Sequence, residues 1–485
     1  MASIKVCDPV SVPLSVLEEL QEFRAQLAEL RQENERLRQE NERLRQENER
    51  LRSELDQARR QSKRQAAPFS KGPPKAQPRR PGRKGGSAHG RHGHRRAPMP
   101  DQVTEVLEAP LPGACPHCGA AVQQEAVRQQ YQTEIPRRPL VRQFNVHLGH
   151  CQGCGQRVQG RHPLQTSDAL GAAAPQLGPD AQAAAVTLNK TFGLSHGKVA
   201  AAFGALFGIN LTRGAVAQVV LRAAERLEPA DQEISQEVKA SGRLTPDETG
   251  WRVGGALAWL HAWVAERATC YAVEADRSAD ALEAVIGRDW TGRMTHDGFA
   301  SYDRFRQATH QQCLRHVLRR ARELAAQATR GAVHYPRRLI ALLTEAIHLR
   351  NRHLAGEVSA EQLQAARPGF DARLERLARP AREVPAYEAL SGHLWRHRGE
   401  WFTFLSDPEV EPTNWEGEQA IRPAVVNRKV WGGNRTWAGA HAQEVLMSVL
   451  ETCKRAGRSG LDFVSATLRA FGNAALPPPV LLAPR

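Results

Sequence analysis

The chain has 485 residues, enough for several domains. Hydrophobic residues make up 41%, an ordinary share for folded protein once the 38 glycines are added, and no apolar run is long enough for a membrane-spanning helix. Lys and Arg total 67 against 52 Asp and Glu, a net charge of +15 that favours polyanionic partners. The N-terminus lacks the charged-then-apolar pattern of an export signal, so a cytoplasmic protein with no membrane partner is expected.

The excess charge is local. Residues 57–100 hold thirteen Lys or Arg and no Asp or Glu, so this strap carries +13 of the +15. All nine tryptophans fall between Trp251 and Trp437, which places the largest aromatic core in the C-terminal half.

Residues 16–58 are expected to form one long helix. The segment Arg31–Leu37 repeats identically at 38–44 and 45–51, and Leu30, Leu37, Leu44 and Leu51 recur every seven residues. Counting these as position d puts Leu20, Leu27, Asn34, Asn41, Asn48 and Leu55 at position a. A heptad repeat specifies a left-handed coiled coil, and each Asn at a favours an in-register partner across the seam. Glu33, Glu40 and Glu47 at g face Arg38, Arg45 and Arg52 at e in a parallel homodimer. The alternative is a lone solvated helix, whose leucines would then face water.

Residues 59–100 are rich in Pro, Gly, Arg and His and too poor in apolar residues for a core. They are expected to be a disordered basic linker that binds phosphates without sequence preference, or a soluble spacer. Residues 101–165 then carry Cys115-Pro-His-Cys118-Gly and Cys151-Gln-Gly-Cys154-Gly. Each such turn can present two thiolates on one side, and two turns complete a tetrahedral Cys₄ site for structural Zn²⁺, here a zinc ribbon with a strand over Leu140–His147. Cys7, Cys270, Cys313 and Cys453 are scattered and suit buried thiols.

Residues 174–240 have a helical pattern. Val199, Phe203, Leu206 and Phe207 make one apolar face, Gly208 to Asn210 breaks it, and Thr212 can cap a following helix. This is either a DNA-binding helix-turn-helix or an ordinary helical hairpin. From 241 to 470 the pattern becomes mixed. Arg243–Thr249, Ala258–Glu266 and Thr269–Ala275 have strand character, Ser278–Ile286 is a short amphipathic helix, and Arg293–His296 and Ala308–Cys313 add strands. Three strands, a helix, then a strand is the order of an α/β ribonuclease-H-like sheet. Residues 314–411 are helical in composition, helix resumes near Thr413 and again over about 438–470, and the tail 471–485, with Pro477-Pro478-Pro479, is expected to be flexible.

Asp247 closes the first strand and Asp297 the fourth, so two carboxylates fifty residues apart can meet at one sheet edge. A third acid from a later helix is available in Thr413-Asn-Trp-Glu-Gly-Glu-Gln-Ala-Ile-Arg-Pro423, where Thr413 or Asn414 suits the N-cap and Asn414 and Glu418 share a face. Three hard oxygen donors suit Mg²⁺ or Mn²⁺, and two such ions can clamp a phosphodiester.

At these residues the chain resembles the DDE-type transposases of bacterial insertion sequences, in particular the IS-sixty-six family. Asp247-Glu-Thr-Gly-Trp-Arg252 is similar to the family's first-acid motif, and His296-Asp-Gly-Phe-Ala-Ser-Tyr302 to its second. Gln312-Cys-Leu-Arg-His-Val-Leu-Arg319 resembles its Cys-x-x-His-x-x-Arg signature, and Asn414–Pro423 with Asn427-Arg-Lys429 and Gly432-Gly433 its third-acid segment. The likeness extends over nearly the whole chain. It implies a ribonuclease-H-like core with a helical insertion at about 314–411 and cut-and-join chemistry. It also implies binding to terminal inverted repeats and target DNA as a homodimer or larger assembly, with accessory proteins of the same element as possible partners.

By this matching Asp247 and Asp297 are the first two acids. Glu418 aligns as the third, with Glu416 as the alternative. The family's Asn-Asn-x-Ala-Glu-Arg is altered here at Trp415, Gly417 and Gln419, and Gly417 should weaken the helix by about 1 kcal/mol relative to Ala. Cys313 and His316 suit packing or orienting groups, with phosphate contact by His316 a further role. Arg319, Arg320 and Arg322 are either DNA contacts or a solvated face. Arg422, Arg428, Lys429 and Arg435 follow the third acid with no acid between them and suit the DNA backbone. Two other functions remain open: a zipper-dimerised, zinc-containing regulator without enzyme activity, and a stand-alone metal-dependent nuclease.

If the strap supplies sequence-blind affinity, deleting 59–100 weakens binding to all duplexes alike and flattens the salt dependence. Salt titrations with element-end and random duplexes check this; a loss confined to the element's ends would make the strap a sequence reader.

Overall fold

In a computed structural model, the described residues are 14–63, 98–133, 135, 138–328, 330–379, 385–473 and 475–482. Residues 64–97 of the expected basic linker, and Cys7, lie outside them. The chain divides into two units, Met1–Gln132 and Thr133–Arg485. Among the described residues no helix is long and apolar enough to cross a membrane.

In the first unit, helix α1 (Leu14–Lys63) is unbroken and longer than expected at both ends. Its heptadic Leu30, Leu37, Leu44 and Leu51 are roughly half exposed. Surface pairs such as Arg50–Glu54, at 3.0 Å, support it along one flank. A 3-10 turn at Pro100–Gln102 and the turn around Cys115 follow.

In the second unit, strands β1 (Leu148–His150) and β2 (Arg157–Gln159) pair antiparallel around the second cysteine turn. The strand expected over Leu140–His147 is displaced to β1, because the cysteine turn sets where pairing begins. Helices α2 (Pro179–Lys190), α3 (His196–Phe207) and α4 (Arg213–Ala240) come next. Gly208 ends α3 in the left-handed region at φ 68°, where glycine carries no Cβ penalty. Thr212 caps α4 by accepting the Ala215 amide. Along its 28 residues α4 buries Val216, Val220, Leu227, Ile234 and Val238, the packing of a core helix; only Arg213 and Gly214 of its first turn are exposed.

The sheet follows as β3 (Arg243–Val253), β4 (Ala256–Val264) and β5 (Thr269–Glu274), then α5 (Ala279–Ile286), β6 (Arg293–His296) and β7 (Thr309–Gln312). Gly254 and Gly255, both at positive φ, make the two-residue turn between β3 and β4. Strand order is β5-β4-β3-β6-β7, antiparallel from β5 to β3 and parallel from β3 to β7. The expected elements are all present, with ends shifted by a few residues.

Between β7 and the closing helices lie α6 (Leu314–Gln327), α7 (His334–Leu354), α8 (Ala360–Ala378), α9 (Pro385–Arg396) and α10 (Thr403–Ser406). They enclose a core of their own around Leu339, Leu343, Leu374, Trp401, Phe402 and Phe404. The chain returns as α11 (Trp415–Trp431), α12 (Trp437–Arg455) and α13 (Gly460–Gly472). One face of the sheet, through Trp263, Met294 and Leu244, packs with α4, α12 and α13; the other, through Trp251 and Leu260, packs with Ile421 and Ala424 of α11. The tail differs from expectation. Leu481 is buried in the main core, and Arg458 donates to the carbonyls of Val480 and Leu481 at 2.6 and 3.1 Å. An apolar side chain with a core socket outweighs the loosening effect of the prolines.

Gly417 explains how α11 reaches the sheet. A Cβ there would stand 3.0 Å from the Pro246 carbonyl, 3.1 Å from Asp247 Cβ and 3.1 Å from the Thr245 carbonyl. The glycine that lowers helix propensity is thus a point of close approach between α11 and β3. Gly417→Val is expected to lower stability by about 1–3 kcal/mol through overpacking and so lower the thermal midpoint. An unchanged midpoint would show that α11 does not sit on β3 in this way.

Candidate active site

The register of the parallel strands positions the first two acids. Leu244 pairs with Met294, and Asp247 and Asp297 each lie three residues further along. Asp297 follows the end of β6 as expected, but Asp247 does not close its strand: it lies within β3, whose pairing with β4 runs on to Val253. Asp247 Oδ1 accepts the Glu248 amide at 3.1 Å, and Asp297 Oδ1 accepts the Phe299 amide at 3.1 Å, which holds each carboxylate against the adjoining backbone. Gly298 packs tightly on the His393 ring of α9, so the second acid's turn leans on the helical insertion.

Glu418 arrives on the first turn of α11. Asn414 is that helix's N-cap and its carbonyl accepts the Glu418 amide at 3.0 Å. The two candidate third acids face different partners. Glu416 is held by Arg455 at 3.2 Å and Arg243 at 3.6 Å. Glu418 meets Arg315 at 2.8 Å and His316 at 3.8 Å, and it is Glu418 that acts electrostatically on Asp247.

Burial, with Glu248 and Asp297 beside it, pushes the Asp247 carboxyl up to about 8. Burial and the nearby Asp297 push Glu248 to about 7, although the Tyr302 hydroxyl donates to it at 2.8 Å. The site is thus a cluster of acids in which negative charge is costly.

Cys313 joins the parts. Its amide donates to the His296 carbonyl at 2.8 Å, and its Sγ accepts the Asn414 amide at 3.4 Å. One buried residue therefore touches the strand leading to Asp297 and the cap of the helix carrying Glu418. His316, half buried, lies next to Glu418, and burial lowers its pKa.

The pattern of residues missed Glu248, Tyr302 and Arg315. Strand alternation assigns Glu248 to the face opposite Asp247, yet the 3-10 turn Ala300–Arg304 brings Tyr302 to it. The Asp-Glu pair itself was the available signal. Arg315 carried none, since its partner lies 103 positions away.

Among the described residues, no three His, Cys, Asp or Glu side chains stand together closely enough to hold a metal as they are. The donor set nevertheless suits a hard cation. Asp247, Asp297 and Glu418 offer oxygen only, their mutual repulsion is what a cation relieves, and Asn414 beside them is fully buried with neither side-chain polar atom partnered.

The cysteine turns have matching geometry. In the first unit Cys115 N–H donates to Ala120 O at 2.8 Å and Gly119 N–H to Cys115 O at 2.8 Å. In the second, Cys151 N–H donates to Gln156 O at 2.8 Å and Gly155 N–H to Cys151 O at 2.9 Å. Gly119 and Gly155 both take positive φ, which accounts for the glycine after each second cysteine, Cys118 and Cys154. Backbone amides of His117 and Cys118 lower the Cys115 pKa, and those of Cys154 and Gly153 lower that of Cys151, the direction a thiolate ligand needs.

The basic candidates divide. Arg319, Arg422, Lys429 and Arg435 are exposed. Arg428 is half buried and donates to the Gly250 carbonyl of β3.

No curated protein matches the chain. The sequence model of the family described as Transposase IS66 family matches residues 175–442, more than half of the chain and the whole span from α2 to the start of α12. The chain belongs to the Transposase IS66 family.

Proposed function

We propose that this transposase cuts and joins DNA at its element's ends with Asp247, Asp297 and Glu418 as the acids of a ribonuclease-H-like core. The observation that carries this reading is that Asp297 and Glu418 both act electrostatically on Asp247, the three acids coming from two parallel strands and one returning helix. A regulator that only binds DNA has no use for carboxylates kept together at this cost.

The three carboxylates would hold Mg²⁺ or Mn²⁺, two ions in the working site. When bound, such a pair supplies the Lewis acidity that activates water or a 3′-hydroxyl and stabilises the departing oxygen. The protein's part is positioning. Asp247, with its pKa near 8, keeps its proton near neutral pH until positive charge nearby favours the carboxylate. Cys313 keeps the Asp297 turn and the Glu418 helix in register, and Glu248 is held by Tyr302.

Arg422, Lys429, Arg435, Arg319 and His316 are proposed DNA contacts, with Arg428 acting through its tie to β3. Cys115, Cys118, Cys151 and Cys154 would hold structural Zn²⁺, supported by the paired turns and lowered thiols. The exposed heptadic leucines of α1 support pairing of two copies. Nucleoid association in the cytoplasm follows from DNA as substrate.

Asp297→Asn tests the reading. It removes a charged ligand while keeping size and hydrogen bonding, so cleavage of a labelled element-end duplex in Mg²⁺ should fall by about 10³-fold or more. Gel-shift binding of the same duplex should persist. Full cleavage by the variant would overturn the assignment.

A further inference from the structure

We propose that Arg315 is a positioning residue that holds Glu418 until a DNA phosphodiester takes its place, so that phosphate binding frees the third acid. This rests on the reading of Asp247, Asp297 and Glu418 as cation ligands. Arg315 Nη1 donates to Glu418 Oε2 at 2.8 Å, and Glu418 Oε1 lies 3.8 Å from His316 Nε2. Both oxygens of the third acid therefore face the first turn of α6.

The pair is open to exchange. The Arg315 side chain is 52% exposed and that of Glu418 26%, so the contact sits at the mouth of the acid cluster. An ion pair this exposed is weak, which keeps the cost of parting small. A guanidinium binds a phosphate oxygen pair at least as well as a carboxylate, through two parallel N–H bonds. Arg319 follows one turn later on the same face and is exposed, so a backbone drawn along α6 meets two guanidinium groups in succession.

Glu418 cannot serve both partners fully. While Arg315 occupies Oε2, that lone pair is unavailable to a hard cation, and the fixed positive charge beside it opposes a second one. A phosphodiester at the acids draws the guanidinium away and leaves the carboxylate to join Asp247 and Asp297. No covalent bond changes. DNA and cation then favour each other's binding, and the coupling is reciprocal. The pairing protects against idle loading of the site away from DNA.

The test is Mn²⁺ binding by the full-length protein, read from the free-ion electron paramagnetic resonance signal, with and without a pre-cut element-end duplex whose own binding is subtracted. Wild type should bind Mn²⁺ more tightly with duplex. Arg315→Gln should bind it about fivefold more tightly without duplex and gain little from adding it. Arg352→Gln, which removes an exposed arginine paired with Glu357, should behave as wild type. Unchanged or weaker duplex-free binding by Arg315→Gln would overturn the proposal. Glu418→Gln separates the two levels. If it weakens Mn²⁺ binding while Arg315→Gln has no effect, the exchange alone is wrong; if it too has no effect, the ligand assignment fails and the exchange with it.

Discussion

Burying Asp247 and Glu248 with Asp297 and Glu418 close by opposes folding, because desolvation and the neighbouring carboxylates raise the cost of charging Asp247 and Glu248. Such a cluster persists only if the surrounding packing holds it. Two features do so here. The parallel register of β3 and β6 sets Asp247 and Asp297 level, and the missing side chain at Gly417 lets α11 lie against the backbone at Asp247. Apolar burial of Trp251, Leu260, Ile421 and Ala424 behind them supplies the opposing stabilisation.

The helical insertion takes part in the same arrangement. It has a core of its own and lies in the chain between Asp297 and Glu418, so it is a packed element and not a loose loop. Its first helix brings Arg315 and His316 to Glu418, and its His393 ring supports the turn after Asp297. Cys313 sits where strand, insertion and returning helix meet. Chain order thus separates the acids widely while a few contacts around the interior strands β3 and β6 rejoin them.

The sheet was largely legible in the sequence, because alternation and paired glycines are local signals. Gly254-Gly255 marks a tight turn, and the Asp-Gly after β6 marks a strand end. The cysteine turns were equally legible, since spacing and the following glycine carry the geometry. The partners of the first turn of α11 were not. Glu416 and Glu418 are alike in sequence, and what distinguishes them is their arginine partners from other elements, Arg243 and Arg455 for Glu416 and Arg315 for Glu418. The tail misled for a related reason. Its prolines are local, whereas the socket that receives Leu481 is built from distant helices.

The proposed chemistry depends on Glu418, not Glu416, completing the acids. Its most direct test is joining of a pre-cut element end, with a free 3′-hydroxyl, to a target duplex in Mg²⁺ by wild type, Glu416→Gln and Glu418→Gln. Joining by wild type and Glu416→Gln, with none by Glu418→Gln, is the predicted result. Joining by Glu418→Gln at the wild-type rate would contradict it.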